Sequence, residues 1–463
     1  MATAMAVFMT HGQTSRTNTV QVNSQAPTYL YGGQASKLEG DIKKRGGDNF
    51  AWKGSGTVTW EVQVDKVGEY AVGLCHAAEP DAVGQQLQIS GGQSRLSYAL
   101  AMTQGVFGNK SYALAPIQGS LHLAAGKQTI TLSITNTPAG KALLAFRSLE
   151  LTPLSAKAAI EADREKARRS RADTDWLTKA GYGLMFHWTS QSLGTDGTIK
   201  PFDQAVADFP LDRFVEMVVA TGAGYVLFTV GHAQPYCPAP LSSWEKYHPG
   251  NTTKRDLIAE MAQALNAKGI KLMCYFPTHV VGKYPKASSE EFTQMTTDIL
   301  KEFGERYGEK VVGYWFDGFY QCFEKYPDFS FSDFFKVCKA GNSKRIIAVN
   351  SWIYPNVTEW QDYWAGETAN PVGLPVNGTN ARGPGQGLRY QALLIMEPYW
   401  VQQKVEMPKP QFDAQKLGDY ISGCIKNGGA VTINLGIYQD GSVDPRAVDV
   451  LKEVRQRIRK ERQ

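Results

Sequence analysis

The chain has 463 residues, 43% of them hydrophobic and 20% charged, with a formal net charge of +5. Domains run ~100–200 residues and barrels reach ~250, so the length excludes a single ordinary core and predicts two domains, one of them large. So small a net charge gives no preference for nucleic acid, and no run of ~18 apolar residues is present to span a membrane.

The N-terminus, Met1 to Thr19, is polar after a short Ala-Met-Ala-Val-Phe-Met run, which is too short for an intact secretory apolar region. Residues 21–153 read as all-β. Val58 to Val64 and Gln128 to Ile134 alternate apolar and polar with period two, and turn-forming clusters separate such runs at 46–49, 90–92 and 136–140. Short strands at regular spacing predict a β-sandwich or jelly roll. Residues 154–177 change character: the stretch from Ala156 to Arg171 is rich in Ala, Glu, Lys and Arg and reads as a polar connecting helix, its basic cluster Arg168-Arg169-Ser170-Arg171 a solvated face.

Across 178–463 strands and helices alternate. Eight short apolar runs stand at 183–188, 224–230, 270–276, 311–317, 345–350, 360–366, 391–397 and 430–435. Between them Leu257, Met261 and Leu265 share a helical face. Ser288 and Glu291 form a capping box ahead of Phe292, Met295, Ile299 and Phe303. Leu417, Ile421 and Cys424 end at Gly428, and Asp444-Pro445 opens the last helix. This predicts a (β/α)8 TIM-like barrel, with an open doubly wound sheet as the alternative that periodicity does not separate.

The six cysteines, Cys75, Cys237, Cys274, Cys322, Cys338 and Cys424, form no C-x-x-C pair and no zinc-spaced cluster. Several sit in apolar runs, so buried free thiols are expected.

Barrel enzymes place their chemistry at the C-terminal ends of the strands. Here those ends carry His187-Trp188, Gly231-His232, Tyr275-Phe276, Asp317-Gly318, Asn350-Ser351-Trp352, Gly366-Glu367 and Met396-Glu397. Two histidines, several aromatic rings and three carboxylates at one rim suit sugar chemistry. Glycoside hydrolysis needs two carboxylates flanking the bond, flat rings pack against a pyranose, and His and Asn bond hydroxyls directionally. A metal held by His187, His232 and Asp317 is a rival arrangement, but neither the tight spacing of a hydrolytic zinc site nor an H-E-x-x-H helix is present.

These segments resemble the retaining α-L-fucosidase family of glycoside hydrolases. The resemblance rests on Gly183 to Trp188 for the first strand, Gly224 to His232 for the second, Lys254-Arg255-Asp256-Leu257 for a helix start, Trp315-Phe316-Asp317-Gly318 for the nucleophile motif, and Ala430 to Ile437 with Asp440-Gly441 for the last strand. It spans 178–445 in order. It implies Asp317 as nucleophile and His187 and His232 as binders of sugar hydroxyls, with Trp315 and Tyr275 lining the sugar pocket. Trp188, Asn350 and Trp352 are further substrate-binding candidates at the same rim. Glu367 or Glu397 is the acid/base, Glu367 preferred, and a retaining pair stands ~5–5.5 Å apart. No cofactor is required. The sequence departs from the family where Ala233 replaces a second histidine, where Gln234-Pro235-Tyr236 replaces Asp-Gly-Phe, and where a Glu-Trp-Tyr segment is missing between Thr189 and Asp208. The sugar is therefore α-L-fucose or a related L- or deoxy sugar, at the end of an oligosaccharide or polysaccharide.

The N-terminal part resembles carbohydrate-binding modules of the jelly-roll type at Ala35 to Gly40 and Phe146 to Leu151. That likeness implies a structural calcium with Glu39 as ligand. The expected location is periplasmic or secreted, and the sequence does not give the oligomeric state. The rival to the hydrolase is a catalytically inactive carbohydrate-binding protein on the same fold.

Overall fold

The computed structural model describes residues 19–44, 49–135, 144–319, 325–326, 329–383, 385–402 and 404–462. Cys322 and most of the turns expected at 46–49 and 136–140 lie outside these residues. The chain forms two compact units, one containing the described residues up to Lys166 with the short segments 353–355 and 382–383, the other containing the rest.

The first unit is all-β. Its strands are β1 (Val20–Val22), β2 (Thr28–Tyr31), β3 (Lys37–Lys44), β4 (Phe50–Val64), β5 (Gly68–Ala78), β6 (Gln86–Gly91), β7 (Ser94–Ala99), β8 (Ala113–Leu123), β9 (Gly126–Ile134) and β10 (Leu144–Pro153). They pair in the order β7-β6-β9-β4-β10-β5-β8, with β1 and β3 added on β4 and β2 on β10. The alternation seen in sequence becomes a buried face: Val58, Trp60, Val62 and Val64 of β4 join Ile130, Leu132 and Ile134 of β9 in one core. Antiparallel register sets Val58 opposite Leu132 and Trp60 opposite Ile130, so the two apolar sets meet directly. Glu39, the expected calcium ligand, lies on β3. Its side chain is exposed and ion-paired with Lys37 at 2.8 Å, and no cluster of metal-ligating side chains occurs among the described residues.

Helix α1 (Lys157–Arg169) runs from the end of the first unit into the second, which continues with α2 (Asp175–Lys179). The basic cluster is not merely solvated, because Arg171 donates to the Glu359 carboxylate at 2.7 Å. Eight parallel strands follow: β11 (Tyr182–Phe186), β12 (Tyr225–Thr229), β13 (Lys271–Pro277), β14 (Val311–Asp317), β15 (Ile346–Val349), β16 (Gly366–Ala369), β17 (Gln391–Ile395) and β18 (Ala430–Leu435). They form one sheet in the order β15-β14-β13-β12-β11-β18-β17-β16, so every strand pairs with its chain neighbours except across β15 and β16, which end the order, and the first lies beside the last. That order is singly wound and excludes the doubly wound alternative. The helices named below are α3 (Thr278–Val281), α4 (Ser289–Tyr307), α5 (Phe331–Cys338) and α6 (Ala414–Lys426). The capping box of α4 is formed as expected, with Ser288 and Glu291 each bonding the other's backbone N–H. No helix is long and apolar enough to cross a membrane among the described residues.

One face of this sheet carries a continuous core of Met185, Tyr225, Leu227, Met273, Tyr275, Trp315, Ile346, Ala348, Tyr363, Ala365, Leu393 and Ala430. Gly183 makes room for it: a Cβ there would lie 2.1 Å from the Tyr225 ring. The sixth strand differs from expectation. The run 360–366 is not a ladder strand. Asp362 N donates to Ile347 O, Ile347 N donates to the Asp362 carboxylate at 2.7 Å, and Val349 N donates to the Gln361 amide oxygen. Side chains thus supply the bonds to β15 that a backbone ladder would have made, and the regular strand starts only at Gly366. The five described cysteines are buried and free.

Candidate active site

Side chains alternate along a strand, so the residue two places beyond a core position lands on the same face, one layer higher. His187 follows Met185, Asp317 follows Trp315, Asn350 follows Ala348, and Glu367 follows Ala365. The layer above the core is polar for that reason. Its C-terminal position on the sheet comes from the strand direction alone.

Asp317 ends β14, half-buried. The Tyr275 hydroxyl donates to its Oδ2 at 2.7 Å, and Gly318 N donates to its Oδ1 at 2.9 Å. Thr278 Oγ1 donates to its backbone carbonyl. Asn350 is buried, and its Nδ2 donates to Asp317 Oδ1 at 3.0 Å and to Glu367 Oε2 at 2.7 Å. Because the two bonds share one nitrogen, the two carboxylate oxygens lie no further apart than the 5.7 Å to which those lengths add. Burial pushes the Glu367 carboxyl up to about 8, the Asp317 charge adds to the shift, and the Asn350 bond opposes it. Glu367 owes its place to Gly366, where a Cβ would sit 2.0 Å from the Gln391 carbonyl, so only glycine lets β16 lie this close to β17.

His187 is buried. Asn434 Nδ2 donates to the Tyr399 and Trp400 carbonyls, which turns Asn434 Oδ1 toward the ring, 2.6 Å from His187 Nδ1. His187 therefore carries its proton on Nδ1 and a lone pair on Nε2. Burial, reinforced by His232, pulls its pKa down to about 3, so the ring is neutral. His232 is half-buried, with its ring centroid 5.4 Å from that of His187 and 6.1 Å from that of Tyr275. Its basicity is lowered by burial first and by His279, with Asp317 opposing. Trp315 stacks on Tyr275 at 5.3 Å, and Trp400 faces His187 at 5.8 Å. Trp352 is 41% exposed, in a left-handed backbone conformation (φ 48°), and its N–H donates to Asn350 Oδ1. Next to His232 a cavity of about 380 Å³ is lined by Gln191, Ala233, Gln234 and Gln402 among others, with no charged side chain.

Two expected site residues stand apart. Trp188 packs on Phe202, Phe209 and Phe228 and donates its indole N–H to the Gln439 carbonyl. It belongs to the packing beside the site. Glu397 is buried against β18, where Gly436 N donates to its Oε2 at 2.7 Å, and its charged neighbours are Asp444 and Arg446. Burial raises its pKa to about 7, the Gly436 bond opposing. A larger cavity, about 670 Å³, lies near Lys200, Asp208 and Asp440, away from both carboxylates of the pair. Sequence reasoning assigned no role to Asn434, Trp400 or His279. Asn434 was findable, two places beyond Thr432 in the same alternation; Trp400 sits on a loop and His279 in the four-residue helix α3, and no periodicity marks either.

Comparison with known proteins gives the family. A sequence model described as Alpha-L-fucosidase matches residues 199–461, more than half of the chain. No curated protein matches. Among solved structures, a family 29 α-L-fucosidase from Bacteroides thetaiotaomicron is 18% identical, over 62% of this chain and 73% of that one, with a TM-score of 0.45. An α-L-fucosidase from Lactobacillus casei in complex with α-L-fucose is 16% identical, over 63% of this chain and 99% of that one, with a TM-score of 0.44. An endo-fucoidan hydrolase of family 107 is 15% identical, over 61% and 53%, with a TM-score of 0.48. By the family match the chain belongs to the α-L-fucosidase family and is a glycoside hydrolase.

Proposed function

We propose that the protein is a retaining exo-α-glycosidase that releases a terminal α-L-fucose, or a related L- or deoxy sugar, from a glycan. The observation that carries this reading is the Asn350 amide holding Asp317 and Glu367 within 5.7 Å, the separation of a nucleophile and an acid/base in double displacement. In the first step Asp317 attacks the anomeric carbon while Glu367 gives its proton to the departing glycosidic oxygen. In the second, Glu367 takes a proton from water, which displaces the sugar from the Asp317 ester. The reaction uses these two carboxylates and water. Glu367 is the better acid/base because the charge of Asp317 reaches it, whereas Glu397 is tied to Gly436 and the Asp444–Arg446 pair. His187 presents a lone pair at Nε2 to a sugar hydroxyl. His232, Tyr275 and Trp352 complete the pocket, Trp315 backs Tyr275, and Ala233 leaves open space where the family departs.

The eight strands of 178–463 read as a (β/α)8 barrel, supported by a core that draws on every strand region and by the Asp362 and Gln361 bonds across β15. Residues 21–153 read as a jelly-roll carbohydrate-binding module, 154–177 as the connector, and the glycan substrate suggests action in the periplasm or outside the cell. The test is a panel of aryl α- and β-glycosides, including α-L-fucoside, with Asp317→Ala and Glu367→Gln beside the wild type. Cleavage of one glycoside, near-complete loss in Asp317→Ala, and a loss of about 10²–10⁴-fold in Glu367→Gln support the reading. Undiminished activity in Asp317→Ala overturns the mechanism. Binding of the same sugars without turnover by the wild type leaves the inactive carbohydrate-binding reading in its place.

A further inference from the structure

One imidazole at this rim has no part in the chemistry so far. His279 stands in α3, directly after β13, with its ring exposed. Its Nε2 lies 3.0 Å from the His232 carbonyl oxygen. A carbonyl only accepts, so Nε2 holds the proton and Nδ1 carries the lone pair. Nδ1 has no partner among the described residues. The ring belongs to the site electrostatically: it lowers the basicity of His232, and Asp317 acts on both rings. Partial desolvation by its surroundings lowers its own basicity below the ordinary histidine value. Across His232, the neighbouring Ala233 offers only a methyl group, and the Gln234 amide oxygen already accepts from Ser190. An acceptor beside Asp317 and His232, exposed and unused, fits a neutral hydroxyl.

We propose that His279 is a specificity-determining residue whose Nδ1 accepts a hydrogen bond from one hydroxyl of the bound sugar. This rests on the hydrolase reading above. The test uses the full-length protein and the glycoside that the panel identifies, together with its monodeoxy analogues. His279→Ala should lower kcat/KM about ten-fold on the parent sugar and leave it unchanged on one analogue, the one lacking the hydroxyl that His279 binds. His279→Asn, which keeps an acceptor oxygen, should recover part of the loss. An equal loss on every analogue would mean a merely structural role, and no loss on the parent would remove the contact; either result overturns the proposal while Asp317→Ala still reports on the mechanism. If the wild type cleaves no glycoside, the hydrolase reading fails first, and the His279 ring nitrogen shifts on titration with L-fucose decide the contact: a moved Nδ1 resonance supports it, an unmoved one overturns it.

Discussion

Asp317 and Glu367 share one amide donor, and their surroundings differ enough to separate their roles. Asp317 collects donors from Tyr275, Gly318 and Asn350, while the Asn350 bond at Glu367 stands against burial and a neighbouring negative charge, which together raise the Glu367 pKa. The proposed mechanism needs Glu367 protonated in the first step. Its proton is held below about pH 8 and lost as pH rises through that value, so kcat/KM should fall on the alkaline side with an apparent pKa near 8. A rate profile flat to pH 9.5 would contradict this. Glu397 gives a stability test instead. Its folded pKa of about 7 lies above the ordinary 4.5, so the fold favours the protonated form, and that advantage is full below about pH 4.5 and gone above about 7. Glu397→Gln keeps an acceptor for Gly436 N and has no charge to bury. Denaturant unfolding should therefore show the variant gaining about 3 kcal/mol on the wild type between pH 4.5 and 8. Parallel curves would contradict it. That Asp317 and Glu367 stand at strand ends was legible from the alternation. Which of the two glutamates partners Asp317 was not, because that depends on Asn350 reaching both.

At the scale of elements, the helices were read well because their signals are local. The capping box at Ser288, the buried stripe Phe292, Met295, Ile299 and Phe303, and the stop after α6 all stand where their spacing puts them. The sixth strand was misplaced because Trp360 to Ala365 is as apolar as a strand, yet beside one backbone bond, Asp362 N to Ile347 O, its bonds to β15 come from the side chains of Asp362 and Gln361. Arg345 was likewise hidden at the edge of an apolar run. It is fully buried, and its guanidinium donates to the carbonyls of Val311, Cys338, Ala340, Gly304 and Gly308 while lying over Tyr314. Four of those carbonyls belong to the C-terminal ends of α4 and α5, where the helix dipoles favour a cation. An ammonium group has three donors against five, so Arg345→Lys strands at least two carbonyls. It should cost roughly 2–6 kcal/mol in unfolding free energy at about 1–3 kcal/mol each. A change within 0.5 kcal/mol would show that water replaces the lost donors.

For the whole molecule, the switch from period-two alternation to alternating strand and helix separated an all-β unit from an α/β unit, and both are found. Strand order was beyond the sequence, since periodicity describes each strand alone and pairing is a matter between distant segments. The candidate site follows from the fold as a layer one step above a common core, which is why its residues come from separate stretches of chain. The central claim is that two carboxylates held by Asn350 act in double displacement, and the anomer released first tests it most directly. Proton NMR of the hydrolysis of an aryl α-glycoside, followed from the first minutes, should show the α-anomer of the free sugar before mutarotation. The β-anomer appearing first would mean inversion, and the pairing of Asp317 with Glu367 as nucleophile and acid/base would be wrong.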